Sequence, residues 1–296
     1  MLQATPGARE RPLAGIAANA TAFGAISIGD AMSKLALASL PLAEVITLRS
    51  LFLLVFLIPF FVAQRRRGLP VLRTSRPWLH IGRFALQFMS VLTFFVALRE
   101  LPLTTITAIM FISPALVALA AIPILGERLK SHQLVAIGLG FIGCAIIVRP
   151  TGDGQFLYMA IAIFSAATWA ASLATLRLLT RTESHATIFA WSNGSFLLAG
   201  AAIAMFDWQP LDAGTLWLIV GMSATQVIGQ WFSMTAFRIA RAATVAPMQY
   251  TQILWATLAG AVVFSEYPAP SVWIGAALII SGGVWLMREE RRQDLA

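Results

Sequence analysis

The chain has 296 residues, of which 58% are hydrophobic and only 11% are charged, and its formal net charge is +8. Soluble domains average roughly 45–50% apolar and about 25% charged residues, so this composition excludes an ordinary soluble domain and indicates an integral membrane protein. The basic residues lie between apolar runs of membrane length, which argues against a nucleic-acid partner. The lone Cys144 lies inside an apolar run, which excludes a disulfide framework and a thiolate metal cluster.

Ten apolar runs are predicted to be membrane-spanning helices, because a helix needs about twenty residues to cross roughly 30 Å of hydrocarbon. The predicted spans are 13–34, 41–63, 77–98, 103–125, 132–148, 156–178, 185–206, 214–237, 243–264 and 270–287. The first run follows Arg9 and Arg11, and no clean small-residue cleavage site comes after it. We therefore interpret it as a retained helix and not as a signal peptide.

The lysines and arginines are distributed unequally between the two predicted sides of the membrane. With the N-terminus in the cytoplasm, sixteen of the 21 basic residues fall on that side, and five of these lie in the linker 64–76. The opposite side carries only Lys34, Arg99 and Arg149. By the positive-inside rule, both termini are predicted to be cytoplasmic.

The chain contains an internal repeat, which defines the predicted architecture. Residues 97–149 correspond to 236–288 at an offset of 139, so that Arg99 falls on Arg238, and the first two spans correspond to the sixth and seventh at an offset of 143. Each half holds five spans, and because five is odd the halves cross the bilayer in opposite directions. Such inverted halves are typical of secondary transporters, which bind substrate near the midplane.

Three segments of the repeat carry a family likeness. They are Asp30-Ala-Met-Ser-Lys34, the run from Ile112 to Arg128 that contains Ser113-Pro114 and Gly126-Glu127, and Phe264-Ser-Glu266. On these residues the chain resembles the drug/metabolite transporter superfamily, specifically its members with two tandem EamA domains, over roughly Leu13 to Met287. The second copy has Ile253 and Ser265 where the first has Pro114 and Gly126, which leaves the symmetry of helix breaking open.

The resemblance implies an all-α integral membrane fold in which two inverted five-helix repeats form a basket around a central cavity. That cavity would be lined mainly by helices 1, 3, 4, 6, 8 and 9, with helices 5 and 10 at the periphery. The predicted division is a cytoplasmic tail 1–12, a first EamA repeat 13–149, a second EamA repeat 150–287 and a cytoplasmic tail 288–296.

The resemblance also implies secondary transport of small metabolites by alternating access in the bacterial cytoplasmic membrane. We expect export of amino acids, including aromatic ones, with uptake of a cofactor-like solute such as S-adenosylmethionine or riboflavin as the alternative. The expected partners are a small amphiphilic substrate and the lipid bilayer, and the chain is expected to be a monomer or weak homodimer. No enzymatic activity, cofactor or metal is predicted.

Charged residues inside the predicted spans are functional candidates, because a charge in a bilayer is costly unless it is paired or faces water. Asp30 and Lys34 lie four residues apart on one face of helix 1, which permits a local pair. Arg49 lies at a similar depth on helix 2, so we hypothesise an Asp30–Arg49 contact that closes an external gate or receives a charged group of the substrate. Alternatively, Asp30 is a structural counter-ion while Lys34 and Glu44 snorkel to the interface. Arg83 is expected to snorkel to the cytoplasmic interface.

Polar and aromatic residues at mid-depth form the predicted substrate-binding set. These residues are Gln87, Phe94, Ser113, Trp169, Asn193, Gln226, Gln230, Trp231, Tyr250, Gln252 and Trp255. Buried amides require hydrogen-bond partners, and aromatic rings stack on planar ligands, although hydrogen bonds between helices would satisfy the amides equally well. Pro114 and Pro247 interrupt helices 4 and 9 and complete, with Asp30, Lys34 and Arg49, the predicted gating or coupling set.

Other signals are weaker. Gly138-Leu-Gly140-Phe-Ile-Gly143 spells a dinucleotide-binding fingerprint, but it lies within one membrane span and no acidic residue stands about twenty positions downstream. Close packing of helices through small residues explains it better. An integral-membrane enzyme acting on a lipid-linked substrate is the alternative from another class; it would require clustered acids or histidines at one membrane face, and here they are scattered.

Overall fold

The structure is a computed structural model that describes residues 11–66, 68, 72–125, 131–148, 155–240 and 245–294. Most of the predicted tail 1–12, the start of the ninth span and Glu127 lie outside them. The helices are α1 (Pro12–Ser39), α2 (Leu42–Arg66), α3 (Pro77–Glu100), α4 (Leu103–Met110), α5 (Ser113–Leu125), α6 (Ser131–Ile147), α7 (Gln155–Leu179), α8 (His185–Ala204), α9 (Ala213–Ile239), a 3₁₀ helix (Ala246–Thr251), α10 (Gln252–Phe264) and α11 (Pro270–Asp294).

Most of these helices are long and apolar enough to cross a membrane. Among the described residues, seven segments meet that description by length and composition: α1, α2, α3, the α4–α5 pair, α7, α8 and α11. α9 has 27 residues and extends about 40 Å, so it is long enough, but its glutamines, serines and threonines lower its hydropathy. The predicted all-α membrane fold class is confirmed.

The helices in contact obey a pseudo-two-fold relation between the halves. α1 packs along α9, and its counterpart α7 packs along α3. α5 packs on α7, and its counterpart α10 packs on α1. α2 contacts its own counterpart α8, and α6 contacts its own counterpart α11. Each of these contacts therefore either maps onto itself or has a mate, as an inverted repeat requires.

Small residues bring the helices of the two halves close together. A Cβ added to Gly143 of α6 would lie 2.6 Å from the carbonyl oxygen of Gly275 in α11, so neither position has room for a side chain. On α9, a Cβ at Gly229 would lie 3.0 Å from the carbonyl oxygen of Ala22 in α1. The glycine run that imitates a dinucleotide fingerprint is thus a helix-packing surface at Gly143, as predicted.

The fourth and ninth spans break at equivalent positions. α4 ends at Met110 and α5 begins at Ser113, whereas the 3₁₀ helix ends at Thr251 and α10 begins at Gln252. The offset of 139 carries Ser113 onto Gln252, so the helix breaks are symmetric even though the second half lacks a proline equivalent to Pro114. Pro114 and Pro247 each stand in the first turn of a helical segment, where a missing backbone N–H costs little.

Candidate substrate site

Four side chains from four helices form what we call the central polar cluster: Asp30 of α1, Arg49 of α2, Gln226 of α9 and Gln252 of α10. Arg49 Nη2 donates to Gln226 Oε1 at 3.3 Å, and Gln252 Nε2 donates to Asp30 Oδ2 at 3.4 Å. The two halves of the chain thus meet through a guanidinium, a carboxylate and two amides. Such a set combines obligate donors, obligate acceptors and groups that do both.

Arg49 is held in place by its surroundings. Its guanidinium lies over the ring of Phe95, 5.7 Å from the centroid, and Ser223 Oγ donates to its carbonyl oxygen at 3.4 Å. Both Asp30 and Arg49 are described, and no nitrogen–oxygen pair between them lies within 4 Å. Asp30 and Arg49 are thus not a direct ion pair in this structure, since each side chain bonds to a glutamine of the second half, but the two charges are close enough to interact electrostatically. Their contact as a gate stays a prediction.

A second polar group, which we call the latch, lies at the end of the bundle where α1 ends. Lys34 Nζ donates to Glu266 Oε1 at 2.6 Å and to the carbonyl oxygen of Leu101 at 2.7 Å. Glu266 Oε2 accepts from the backbone N–H of Leu103 at 3.0 Å, the first residue of α4. The latch therefore joins both halves at this end, which we call the latch face. The predicted local pair of Lys34 with Asp30 is wrong, because Lys34 reaches Glu266.

The backbone before Glu266 places its carboxylate. Ser265 ends α10 in the left-handed conformation, with φ of 55°, and the N–H of Glu266 donates to the carbonyl oxygen of Gly260 at 2.9 Å. A left-handed residue at this position is a common way to end a helix, and glycine adopts it at lower cost than serine. Glycine stands at the equivalent position of the first half, Gly126, which lies outside the described residues.

The other predicted substrate-binding residues lie at half-buried, packed or exposed positions outside the hydrogen bonds of the central polar cluster. Five of these residues are half-buried and make no hydrogen bond into the central polar cluster: Gln87, Phe94, Ser113, Trp169 and Asn193. Ser113 Oγ donates to the carbonyl oxygen of Met110, and Asn193 Nδ2 donates to that of Phe189, so both groups bond within their own segments. Trp255 is 39% exposed and packs against the backbone of Gly24 on α1.

Trp231, Gln230 and Tyr250 are the remaining predicted residues, and they differ in position. Trp231 follows Gln226 by five residues, which places it about 140° around α9, and it is 62% exposed. Gln230 is exposed on the same side of α9 as Gln226. Tyr250 is buried, and its ring meets that of its counterpart Phe111 edge-to-face, with 5.2 Å between the ring centroids. Its hydroxyl lies against Gly283 of α11. Tyr250 therefore packs between helices in this structure.

A small apolar pocket lies where the two helix breaks meet α6 and α11. Its lining includes Phe111, Pro114, Gly140, Tyr250 and Gly283. No ionisable side chain other than the tyrosine hydroxyl lines it, and it lies apart from the central polar cluster. The candidate site is therefore the central polar cluster and not this pocket, because only the cluster can recognise a polar solute.

Sequence comparison agrees with this architecture. The family model described as the EamA-like transporter family matches residues 13–149 and 156–288, which is nearly the whole chain. The chain belongs to the EamA-like transporter family. It is accordingly a multi-pass membrane transporter of the drug/metabolite transporter superfamily.

Relatives of this EamA-like transporter carry specific names. A riboflavin transporter of Rhizobium johnstonii is 32% identical over 251 residues, covering 82% of this chain and 80% of the relative. An S-adenosylmethionine uptake transporter of Rickettsia prowazekii is 28% identical over 273 residues, covering 90% of each chain. A solved crystal structure shares the fold with a TM-score of 0.60 at 19% identity, over 93% of this chain and 97% of that one.

Two buried charges of this EamA-like transporter were not expected from the sequence. Arg83 is only 7% exposed and its Nη1 donates to Ser192 Oγ of α8, so the expectation that it snorkels to the interface is wrong. Glu44 is 0% exposed, and its Oε2 accepts from the backbone N–H of Gln209 at 3.1 Å. Helical spacing held a signal for Arg83, since positions 80, 83 and 87 are polar and lie on one face of α3.

The opposite end of the bundle carries the arginine-rich linker, and we call it the arginine-rich face. There, Glu183 Oε1 accepts from Thr74 Oγ1 at 2.8 Å and from the backbone N–H of Ser75 at 3.0 Å. Trp191 Nε1 donates to the carbonyl oxygen of Leu72 at 3.0 Å. Burial alone would raise the pKa of Glu183, but the hydrogen bonds from Thr74 and Ser75 hold that pKa below its usual value.

Proposed function

We propose that this EamA-like transporter takes up an uncharged, planar, cofactor-like solute of the riboflavin type by alternating access. The observation that carries the proposal is the central polar cluster, in which Gln226 and Gln252 stand beside Asp30 and Arg49 between the two halves. Amides can both donate to and accept from the edge of a heterocycle. The riboflavin transporters among the relatives support this solute class, which is an alternative and not the first expectation from the sequence. The S-adenosylmethionine uptake transporters support only uptake of a cofactor-like solute.

The charge balance of the cluster favours a neutral solute. One carboxylate, Asp30, and one guanidinium, Arg49, leave it with no net charge. A solute with an excess positive charge, such as S-adenosylmethionine, would approach Arg49 against electrostatic repulsion, and like charges in contact cost several kcal/mol. A flavin ring system has carbonyl acceptors and an N–H donor without a formal charge, so it adds no such cost.

Amino-acid export, the first expectation from the sequence, is the second candidate. One observation favours it: Asp30 and Arg49 lie in the same cluster without forming an ion pair, so they can accept the ammonium and carboxylate groups of a zwitterion. Both candidates use the same residues. They differ in the solute and in the direction of movement.

The proposed mechanism uses the symmetry of the fold. The two halves rock about the central polar cluster. The ion pair between Lys34 and Glu266 breaks when the latch face opens. A solute can shift this equilibrium only by binding one state more strongly than the other. The arginine-rich face and both termini are placed in the cytoplasm of a bacterium by the positive-inside rule, so the latch face is external.

Purified protein in liposomes tests the proposal with radiolabelled riboflavin. We expect saturable uptake of riboflavin. Lumiflavin, which keeps the ring system, should compete with riboflavin for uptake, and phenylalanine should not. Gln226→Leu and Gln252→Leu should each reduce uptake about tenfold or more, because an apolar group replaces a partner of a buried charge. Trp231→Leu is the matched control on α9 and should leave uptake unchanged.

The same liposomes decide between the candidates. Liposomes loaded with radiolabelled phenylalanine, with and without a pH gradient, report export and any coupling to protons. Absence of riboflavin flux together with accelerated phenylalanine efflux would overturn riboflavin uptake and establish the second candidate.

A further inference from the structure

The two-fold relation of the halves points to a second polar group on α3 and α8. At an offset of 139, Gln226 of the central polar cluster corresponds to Gln87 of α3, so both halves carry a glutamine there. At an offset of 143, Arg49 corresponds to Ser192 of α8. The arginine absent from position 192 is supplied from α3, because Arg83 Nη1 donates to Ser192 Oγ.

The two arginines lie at mirrored depths. Arg49 stands seven residues after the start of α2, about 10 Å from the latch face at 1.5 Å per residue. Arg83 stands six residues after the start of α3, about 9 Å from the arginine-rich face. Each end of the bundle therefore has one arginine near a glutamine, half-buried at Arg49 and buried at Arg83.

The central polar cluster and the polar group on α3 and α8 differ in whether their polar atoms have hydrogen-bond partners. Gln226 Oε1 accepts from Arg49, whereas Gln87 Oε1 is buried without a partner among the described residues, and so is Arg83 Nε one turn away. The position equivalent to Asp30 is Leu173, so no carboxylate corresponds to it. Buried polar atoms without partners are rare, because each has lost its hydrogen bonds to water without replacing them.

We infer that Arg83, Gln87 and Ser192 form an inner station that binds the transported solute on its way to the arginine-rich face. Among the described residues, the buried atoms without a partner on this face of α3 are Arg83 Nε, which is a donor, Gln87 Oε1, which is an acceptor, and His80 Nε2, one turn from Arg83 on the side away from Gln87. The pair that faces the solute is Arg83 Nε with Gln87 Oε1. Their complement is a carbonyl oxygen next to an N–H, which is the edge of a lactam or cyclic imide. Flavin rings present such an edge, so this inference rests on the proposed function and extends it.

Reciprocal exchange of residues between the halves tests the inner station. Arg83→Met installs the residue found at the equivalent position, Met222, and Arg49→Ser installs the residue of Ser192. Riboflavin KM is measured from each face, in right-side-out and inside-out vesicles. Arg83→Met should raise KM about tenfold at the arginine-rich face and leave it within about twofold at the latch face, because it removes one charged hydrogen bond on one side only. Arg49→Ser should do the reverse.

A second measurement requires no solute. Gln87→Met removes a buried atom without a partner at nearly constant volume, so it should raise the melting temperature of the purified protein by about 2–4 °C. Gln226→Met is the matched control at the equivalent position; it deprives Arg49 of its acceptor and should lower the melting temperature. Arg83→Lys keeps the charge and should recover part of the KM change seen in Arg83→Met.

The outcomes are separable. Equal KM changes at both faces in Arg83→Met, or a lowered melting temperature in Gln87→Met, would overturn the inner station while riboflavin transport stands. Absence of riboflavin flux in the unmodified protein would overturn the proposed function and the imide assignment together.

Discussion

The two halves of this transporter share their backbone but not the charges of the central polar cluster. Their broken spans resume at equivalent residues, Ser113 and Gln252, and continue for thirteen residues each. In contrast, Asp30 and Arg49 of the first half correspond to Leu173 and Ser192 of the second. Symmetric backbones allow two conformations in which the halves exchange roles. In the proposed mechanism, the unequal side chains determine which conformation is favoured and which groups of the solute are recognised on each side.

The linkers between the second and third helices of each half show the same contrast. Each linker is held by a carboxylate from the opposite half: Glu183 binds Thr74 and Ser75, and Glu44 binds Gln209. Glu183 accepts three hydrogen bonds, whereas Glu44 is fully buried and its second oxygen has no partner within the described part of the chain. The two ends of the bundle are therefore closed by similar devices of different strength.

Sidedness gives the largest expected effect, because inverted halves require opposite ends to lie on opposite sides of the membrane. Ala38→Cys lies in an exposed position at the latch end of α1, and Arg181→Cys, at the equivalent position of the second half, lies in an exposed turn at the arginine-rich face. An impermeant maleimide added to intact cells should label the first variant fully and the second only after lysis. The native Cys144 is 2% exposed and should give no background. Labelling of both variants from outside would contradict the inverted arrangement.

The latch should be the next most sensitive feature. Glu266→Ala leaves Lys34, whose side chain is 10% exposed, without its counter-charge and removes the acceptor for the N–H of Leu103. Breaking a mostly buried ion pair by removing one partner costs about 3–5 kcal/mol, which thermal unfolding of the purified protein measures. Glu266→Gln keeps an oxygen acceptor and should cost less.

A surface pair on α11 is the control for the latch. Glu289 Oε2 lies 3.8 Å from Nη1 of Arg292, whose side chain is 82% exposed. Such exposed ion pairs contribute about 0–1 kcal/mol to the free energy of unfolding. Glu289→Ala should therefore leave the unfolding temperature nearly unchanged. Equal losses for Glu266→Ala and Glu289→Ala would show that the latch is not a stabilising contact.

The contact between Tyr250 and Gly283 can be tested by installing the residues that the first half has at the equivalent positions. A side chain at Gly283 would collide with the tyrosine hydroxyl, so Gly283→Cys should cost about 1–3 kcal/mol of stability by overpacking. The equivalent residues of the first half are Phe111 and Cys144, a pair without the hydroxyl. Adding Tyr250→Phe to Gly283→Cys should recover most of the loss. Additive losses in the double variant would mean that the two halves pack differently at this point.

The repeat and the helices could be predicted from the sequence because hydropathy and the constant offset are properties of the chain alone. The partners of charged side chains could not. Lys34 bonds to Glu266, 232 residues away, and not to Asp30 on its own helix face. Helical phase, by contrast, holds a signal that our prediction does not use: it separates Trp231 from Gln226 by about 140° on α9, although both belong to the predicted substrate-binding set. The burial of Arg83 depends on which helix covers that face of α3, and this is known only once α8 is in place.

The smallest expected effect concerns the linker 72–76 at the arginine-rich face. The hydrogen bonds to Glu183 lower its pKa in the folded state, so its contribution is fully present above its unfolded pKa, about 4.3, and is lost as the pH falls through the folded value. Proteolysis of the linker in detergent-solubilised protein should therefore accelerate below about pH 4.3. Glu183→Gln should show fast cleavage at neutral pH with little further pH dependence, because its amide oxygen is a weaker acceptor than a carboxylate. A linker whose cleavage has the same pH profile in both proteins would mean that another group holds it.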